Sequence, residues 1–380
     1  MSWSNVRTAV LSLSVCFSGA CSSRAQTFAN HRAPARSPVV DSGTLGNAPY
    51  RVDIPDNWNG KLVMLLHGYE PKGVPRETPW PRNEDTPVFL ADGYAVAQSA
   101  YASQGWAVTD AISDNDRLRA YFWRKYGKPR QTYLAGFSLG GYVALASLEQ
   151  HGNYYNGALS LCGANVPAKR IFGDAYTSLV AFDYFFPNAK GLSPRGLSDP
   201  TSKGLSQVAV MGAVETALQG NEASAQILVT HLDASRAELA GLISLHYLLL
   251  DEVRARAGGM PVDNQTTVYS GFGDDTAFNK GVPRYAGDRS AMRYLSGAAD
   301  LTGKINKPLI LQYNKDDPTV SKRYGLVYPA LVKAAGGKTQ PLELPSVGEG
   351  HCDFSPEQVR ETFKKLTGWS TTGLRPKNVR

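Results

Sequence analysis

The turn Gly136-Phe-Ser138-Leu-Gly140 constrains the fold of this 380-residue chain more than any other feature. The residues before it, 130–134, include β-branched and aromatic residues, which predicts a strand, and residues 142–150 have the spacing and composition of a helix. Glycine on both sides of the serine lets a strand and a helix meet where side chains would clash. The pattern is typical of a nucleophile elbow, a strained turn that presents a serine hydroxyl at the top of a sheet.

Apolar runs alternate with amphipathic segments on both sides of this turn. The further predicted strands are residues 50–54, 62–66, 94–100, 157–162, 307–313 and 341–344. The further predicted helices of this part are residues 110–126, 321–335 and 355–366. Strands that alternate with helices at this spacing predict a mainly parallel sheet with helices on both faces.

The alternation of predicted strands and helices ends in the middle of the chain, where helices predominate. The clearest are residues 206–219 and 235–256, and His246 lies in the apolar stripe of the second, which predicts a packing role. We therefore predict a core of residues 47–166 and 304–370, interrupted by a helical insertion at 167–303. Because the insertion follows the strand next to the elbow, we expect it to form a lid. Residues 26–46 are predicted to be a linker and 371–380 a tail.

The first residues indicate export. Arg7 precedes an apolar run at 9–17 that is too short to span a bilayer, and Ser23-Arg-Ala25 is a small-x-small cleavage site. We predict a signal peptide at 1–25 and a secreted or periplasmic protein. Lipid anchoring through Cys21 is the alternative. No later run is long and apolar enough to predict a membrane span.

Charge and composition exclude some partners. The formal net charge is +7, and loss of the two leader arginines would leave about +5. That excess is spread along the chain, which argues against a nucleic-acid partner. We predict no metal and no organic cofactor, and leave the oligomeric state open.

Three motifs together resemble one superfamily. They are His67-Gly-Tyr69, the elbow around Ser138, and Gly350-His351-Cys352. With these motifs the chain resembles the α/β-hydrolase superfamily over residues 50–163 and 303–366, and within it secreted serine esterases with a large helical lid. The order serine, aspartate, histidine is the order expected of that fold.

The resemblance is chemically consistent because a serine hydroxyl needs a neighbouring base. His351 follows the last predicted strand and is the candidate base. A carboxylate must hold its imidazole in one tautomer; Asp316 and Asp317 both follow a strand, and Asp317 fits the family pattern of a valine three residues later, here Val320.

The resemblance also implies that the backbone N–H groups of Tyr69 and Leu139 bind the oxyanion. Aromatic and polar residues near the catalytic edge predict a partly aromatic substrate pocket, or else ordinary core packing. They are Tyr69, Tyr101, Gln104, Trp106 and Phe137.

Two further expectations concern structure near the site. His67 follows an early strand and is predicted to support nearby loops rather than to catalyse. Without the leader, Cys162 and Cys352 are the remaining cysteines, and both are expected near one end of the sheet. In an oxidising compartment they are expected to form a disulfide, or to remain two separate buried thiols.

These observations predict a serine hydrolase that cleaves carboxylic esters through an acyl-enzyme on Ser138. The predicted substrate is a small-molecule or oligomeric ester. A serine peptidase of the prolyl-oligopeptidase type is the alternative, although no bladed repeat is present. A catalytically silent binding protein on the same fold is a third reading, and retention of all three catalytic residue types argues against it.

Overall fold

The computed structural model describes residues 37–297 and 300–377. In them, an eight-stranded sheet is flanked by eleven α-helices and two short 3-10 helices, Gly152–Tyr154 and Lys322–Tyr324. The strands are β1 (Val39–Leu45), β2 (Ala48–Ile54), β3 (Lys61–Leu66), β4 (Ala95–Ser99), β5 (Gln131–Phe137), β6 (Gly157–Leu161), β7 (Leu309–Gln312) and β8 (Leu342–Leu344). The helices are α1 (Thr86–Ala91), α2 (Val108–Tyr126), α3 (Leu139–His151), α4 (Ala168–Phe185), α5 (Gln207–Gly220), α6 (Glu222–Leu232), α7 (Leu239–Ala257), α8 (Asp275–Gly281), α9 (Arg289–Leu295), α10 (Val327–Ala334) and α11 (Pro356–Thr372).

The strand order is β1-β2-β4-β3-β5-β6-β7-β8. Strands β1 and β2 run antiparallel to their neighbours, and every pair from β4 to β8 is parallel. The carboxyl ends of parallel strands share one edge of a sheet, so the loops after them converge. This order is that of the α/β-hydrolase fold, which confirms the predicted fold class.

The sheet is covered on both faces. Leu62 and Met64 of β3 pack in the core that holds α2 and α3, whereas Val63 and Leu65 of the same strand pack against α1 and α11. Side chains alternate between the two faces of a strand, so a strand with both faces covered reads as a continuous apolar run. The apolar runs of the sequence have this origin.

One domain boundary needs correction. Residues 39–45 lie in the predicted linker 26–46 but form β1, an edge strand paired with β2. The strand is mostly polar and half-exposed, so it lacks an apolar pattern. Its Asp41 accepts hydrogen bonds from Tyr121 and Tyr126 of α2, at 2.9 and 2.8 Å. Tertiary contacts rather than local hydrophobicity therefore order this strand.

Several helix ends differ from the predictions. Helix α7 begins at Leu239 because Ser235 donates to the Glu238 carboxylate in a turn that precedes the helix. The predicted helix 321–335 is a 3-10 turn followed by α10. Helix α11 runs to Thr372, two residues into the predicted tail.

The helices between β6 and β7, α4 to α9, all lie within residues 167–303, and "helical insertion" below means these six helices. The predicted signal peptide, including Cys21, lies outside the described residues. Among helices of the described ranges, none is both long and apolar enough to cross a membrane.

Candidate active site

Ser138 lies between β5 and α3 in a strained turn. Its backbone has φ +52° and ψ −121°, a region that residues other than glycine rarely adopt. A Cβ on Gly136 would lie 2.0 Å from the carbonyl oxygen of Gly140, and one on Gly140 would lie 2.1 Å from that of Leu66. Only glycine fits at these two positions, and the turn carries the Ser138 side chain to the start of α3.

His351 lies in the loop between β8 and α11, with Nε2 2.9 Å from Ser138 Oγ. Asn314, just after β7, holds this loop: its Nδ2 donates to the carbonyls of Val347 and Asp353, both at 2.9 Å. A disulfide between Cys352 and Cys162, the residue after β6, attaches the loop to the sheet a second time. The imidazole is therefore positioned by contacts on both sides of it along the chain.

The structure separates the two candidate aspartates. His351 Nδ1 lies 2.8 Å from Oδ2 of Asp317, a side chain that also accepts the backbone N–H groups of Thr319 and Val320 at 2.8 and 2.9 Å. The side chain of Asp316 is 81% exposed and lies 3.9 Å from Lys322. Asp317, and not Asp316, therefore touches the imidazole.

Leu139 and Tyr69, the residues expected to supply oxyanion donors, both lie close to Ser138. Leu139 is the first residue of α3, so its N–H has no partner within the helix. Tyr69 follows β3 and Gly68, where a Cβ would lie 3.3 Å from Ser138 Cβ. The loop after β3 and the start of α3 thus flank the serine, as the resemblance implies for an oxyanion site.

Tyr69 is also connected to the helical insertion. Its phenol donates a 2.7 Å hydrogen bond to Oε1 of Glu252 on α7, and Oε2 of the same carboxylate accepts the backbone N–H of Trp106 at 3.1 Å. Glu252 is 3% exposed, and this burial raises the pKa of its carboxyl. Sequence reasoning missed Glu252, although it lies three residues after Leu249, an acidic residue on an otherwise apolar stripe.

A cavity of about 460 Å³ opens beside Ser138 and His351. The predicted pocket residues Tyr69, Trp106 and Phe137 line it. Two other aromatic or polar candidates do not: Tyr101 is buried, with its phenol donating to the His67 carbonyl, and Gln104 donates to Glu70.

Two histidines other than His351, His67 and His246, also line the cavity. His67 stacks on Tyr101 at 4.0 Å between ring centroids and makes a 2.8 Å contact with the Gly68 carbonyl. Burial lowers the pKa of His67 to about 4, so the ring is neutral and supports the surrounding loops. His246, predicted as a packing residue, has Nδ1 2.7 Å from Ser178 Oγ of α4 and also lines the cavity.

The cavity lining also includes acidic groups. Asp85 and its neighbour Glu84 both line it. Burial, with a smaller contribution from the Glu84 charge, raises the pKa of Asp85 to about 6. Across the described ranges, no group of three or more His, Cys, Asp or Glu side chains has the arrangement of a metal site.

No protein-family model matches the chain, and no curated protein matches its sequence. Among solved structures, an esterase/lipase from an uncultured bacterium is 12% identical with a TM-score of 0.44, covering 88% of this chain and 86% of that chain. Est1E from Butyrivibrio proteoclasticus is 11% identical with a TM-score of 0.43, covering 87% and 98%.

The acylaminoacyl peptidase of Pyrococcus horikoshii is 10% identical with a TM-score of 0.44. The match covers 90% of this chain but 42% of the peptidase, so the chain spans less than half of that protein. By its own strand order and its elbow, the chain has the α/β-hydrolase fold.

Proposed function

We propose that this protein is a serine hydrolase that cleaves carboxylic esters through an acyl-enzyme on Ser138. The observation that carries the proposal is the continuous contact from Ser138 Oγ to His351 Nε2, 2.9 Å, and from His351 Nδ1 to Asp317, 2.8 Å. These contacts lie at the wall of a largely apolar cavity. A nucleophile, a base and a group that orients the base are the minimum for this chemistry.

In the first half-reaction, Ser138 Oγ attacks the ester carbonyl carbon while His351 Nε2 takes the hydroxyl proton. The Asp317 carboxylate accepts the Nδ1–H, which keeps Nε2 free to act as base and stabilises the imidazolium that forms. The carbonyl oxygen becomes an oxyanion, and the backbone N–H groups of Tyr69 and Leu139 are the proposed donors to it. Loss of one such donor typically costs about 3–4 kcal/mol of transition-state stabilisation.

The oxyanion then collapses, the bond to the leaving oxygen breaks, and His351 gives its proton to the departing alcohol. In the second half-reaction, His351 takes a proton from water, which attacks the acyl carbon. The resulting intermediate expels Ser138 Oγ, which recovers its proton from His351 as the acid leaves. Each half-reaction thus returns the imidazole to its neutral state.

The proposal is tested by labelling with a fluorescent fluorophosphonate, which reacts covalently with activated serines. The parent is expected to label and Ser138→Ala to lose the label and nearly all ester turnover, with an unchanged circular dichroism spectrum. Ser147→Ala is the matched control: this serine lies in the same helix α3, buried, and its Oγ has no hydrogen-bond partner in the described ranges. An unlabelled parent, or a Ser138→Ala protein that keeps more than a few per cent of turnover, contradicts the assignment.

Ester and peptide chemistry are separated by one further comparison. An aryl ester and the anilide with the same acyl group differ only in their leaving groups. We expect turnover of the ester and little of the anilide. Efficient anilide cleavage would favour the peptidase alternative.

A further inference from the structure

The wall of the cavity that α4 and α7 form is largely apolar and includes the imidazole of His246. His246 of α7 lies there beside Leu245 and Leu249 of its own helix and Ile171 and Ala175 of α4. The proposed mechanism does not use this histidine. Because the ring lines the cavity, its hydrogen-bonding state affects which substrates the cavity accepts.

The neighbouring serine assigns the tautomer of His246. Ser178 Oγ lies 2.7 Å from the carbonyl oxygen of Ala175 and 2.7 Å from His246 Nδ1. A hydroxyl has one proton to donate, and a carbonyl oxygen only accepts. Both contacts are hydrogen bonds only if the hydroxyl donates to Ala175 and His246 Nδ1–H donates to the hydroxyl. Nε2 then has no proton and is an acceptor.

This acceptor is left without a partner. Within the described ranges, Nε2 makes no hydrogen bond, and it is not among the fully buried side-chain nitrogens. Because His246 lines the cavity, Nε2 is accessible from it. Burial lowers the pKa of His246 to about 4, which keeps the ring neutral. The other polar groups of this wall are paired: the phenol of Tyr324 donates to Asp174 at 2.7 Å and accepts from Arg323 at 2.8 Å.

We propose that His246 Nε2 accepts a hydrogen bond from a hydroxyl on the aryl group of the ester, so that the site selects phenolic substrates. This proposal rests on the proposed function. The aromatic and aliphatic lining, including Trp106 and Phe137, suits a flat apolar ring, and an acceptor within that lining suits a donor at the edge of the ring. A methyl group in place of the hydroxyl would leave Nε2 buried and unsatisfied, which is costly.

The first test compares kcat/KM for hydroxyaryl esters and for the same esters with methyl replacing hydroxyl. The group is placed at ring positions 3 and 4, on the acyl side in one series and the alcohol side in another. We expect the parent to prefer the hydroxyl in one series by about 5- to 150-fold, the range that an unsatisfied buried acceptor implies. No preference in either series overturns the proposal.

Two variants connect the preference to the histidine. In His246→Leu, which cannot accept a hydrogen bond, the hydroxyl-to-methyl ratio should fall to about 1. In Ser178→Ala, Nδ1 loses its acceptor, the imidazole can adopt the other tautomer, and the ratio should fall part of the way. A ratio that survives His246→Leu overturns the proposal. If His246→Leu does not fold, Ser178→Ala decides, and an unchanged ratio in it overturns the proposal.

A binding measurement separates this proposal from the proposed function. p-Cresol and p-xylene have nearly the same shape and differ in one hydroxyl. Their binding to the Ser138→Ala protein is measured by ligand-observed NMR, with and without His246→Leu, and needs no turnover. We expect tighter cresol binding that His246→Leu removes. Equal binding of the two overturns the subsite even if esters are cleaved, whereas absent labelling of Ser138 overturns the proposed function alone.

Discussion

The hydrogen bond between Tyr69 and Glu252 joins the loop beside Ser138 to the helical insertion, and Tyr69→Phe removes it without changing the size of the ring. The bond is 2.7 Å long, and its acceptor is a carboxylate that is 3% exposed. A hydrogen bond to a charged group contributes about 1.5–3 kcal/mol. The roughly 340 described residues have an unfolding entropy of about 0.7 kcal/mol/K, so the Tm should fall by about 2–4 °C.

The stability that Tyr69→Phe loses relative to the parent, called the deficit below, should depend on pH. Burial raises the folded pKa of Glu252, and the Tyr69 phenol partly opposes that rise by donating to the ionised carboxylate. Removing the phenol raises the folded pKa further. A raised folded pKa means that stability is lost as pH rises through it. The deficit of Tyr69→Phe should therefore be larger at pH 8 than under acidic conditions, where Glu252 is protonated in both proteins.

Activity tests whether this bond positions the proposed oxyanion donor. The variant keeps the backbone N–H of Tyr69, so kcat should fall by less than the 10²- to 10³-fold typical of a lost donor, with a smaller change in KM. Differential scanning calorimetry and steady-state ester kinetics measure the two effects. Tyr126→Phe is the control, because its phenol donates to Asp41 at the remote edge strand at 2.8 Å. An unchanged Tm refutes the energetic reasoning, and a lowered Tm with unchanged kcat refutes the positioning role.

Three further predictions follow from particular contacts. Asp317→Asn should lower kcat by about 10⁴-fold, because an amide that donates to the histidine favours the wrong tautomer. Asp316→Asn should leave kcat within twofold of the parent. Equal effects of the two variants would contradict the assignment of Asp317. Gly140→Ala should abolish soluble folded protein, because the new Cβ would lie 2.1 Å from the Leu66 carbonyl oxygen. Gly241→Ala has open space around it in helix α7 and should raise the free energy of unfolding, measured by urea titration, by about 0.5–1 kcal/mol. Reducing the disulfide, whose cysteines are 190 residues apart, should lower the free energy of unfolding by about 2–4 kcal/mol; a non-reduced digest without the linked peptide pair would refute the bridge.

The elbow shows how much of the fold the sequence predicted. Its strand, its two glycines and the following helix are encoded within about twenty neighbouring residues, and local periodicity and sterics suffice to identify them. The parallel core strands were predicted because burial on both faces requires continuous apolar runs. Edge strand β1 was missed for the same reason: it is polar, and contacts with α2 order it.

The sequence by itself determined the fold class and the residue types of the candidate site, because elbow, strands and triad order are written in local patterns. The tertiary structure decided which aspartate touches His351 and that Glu252 holds Tyr69 across 183 residues of chain. It also decided that His246 lines the cavity. Such contacts depend on how distant elements pack, and no local pattern of charge or hydrophobicity encodes that packing.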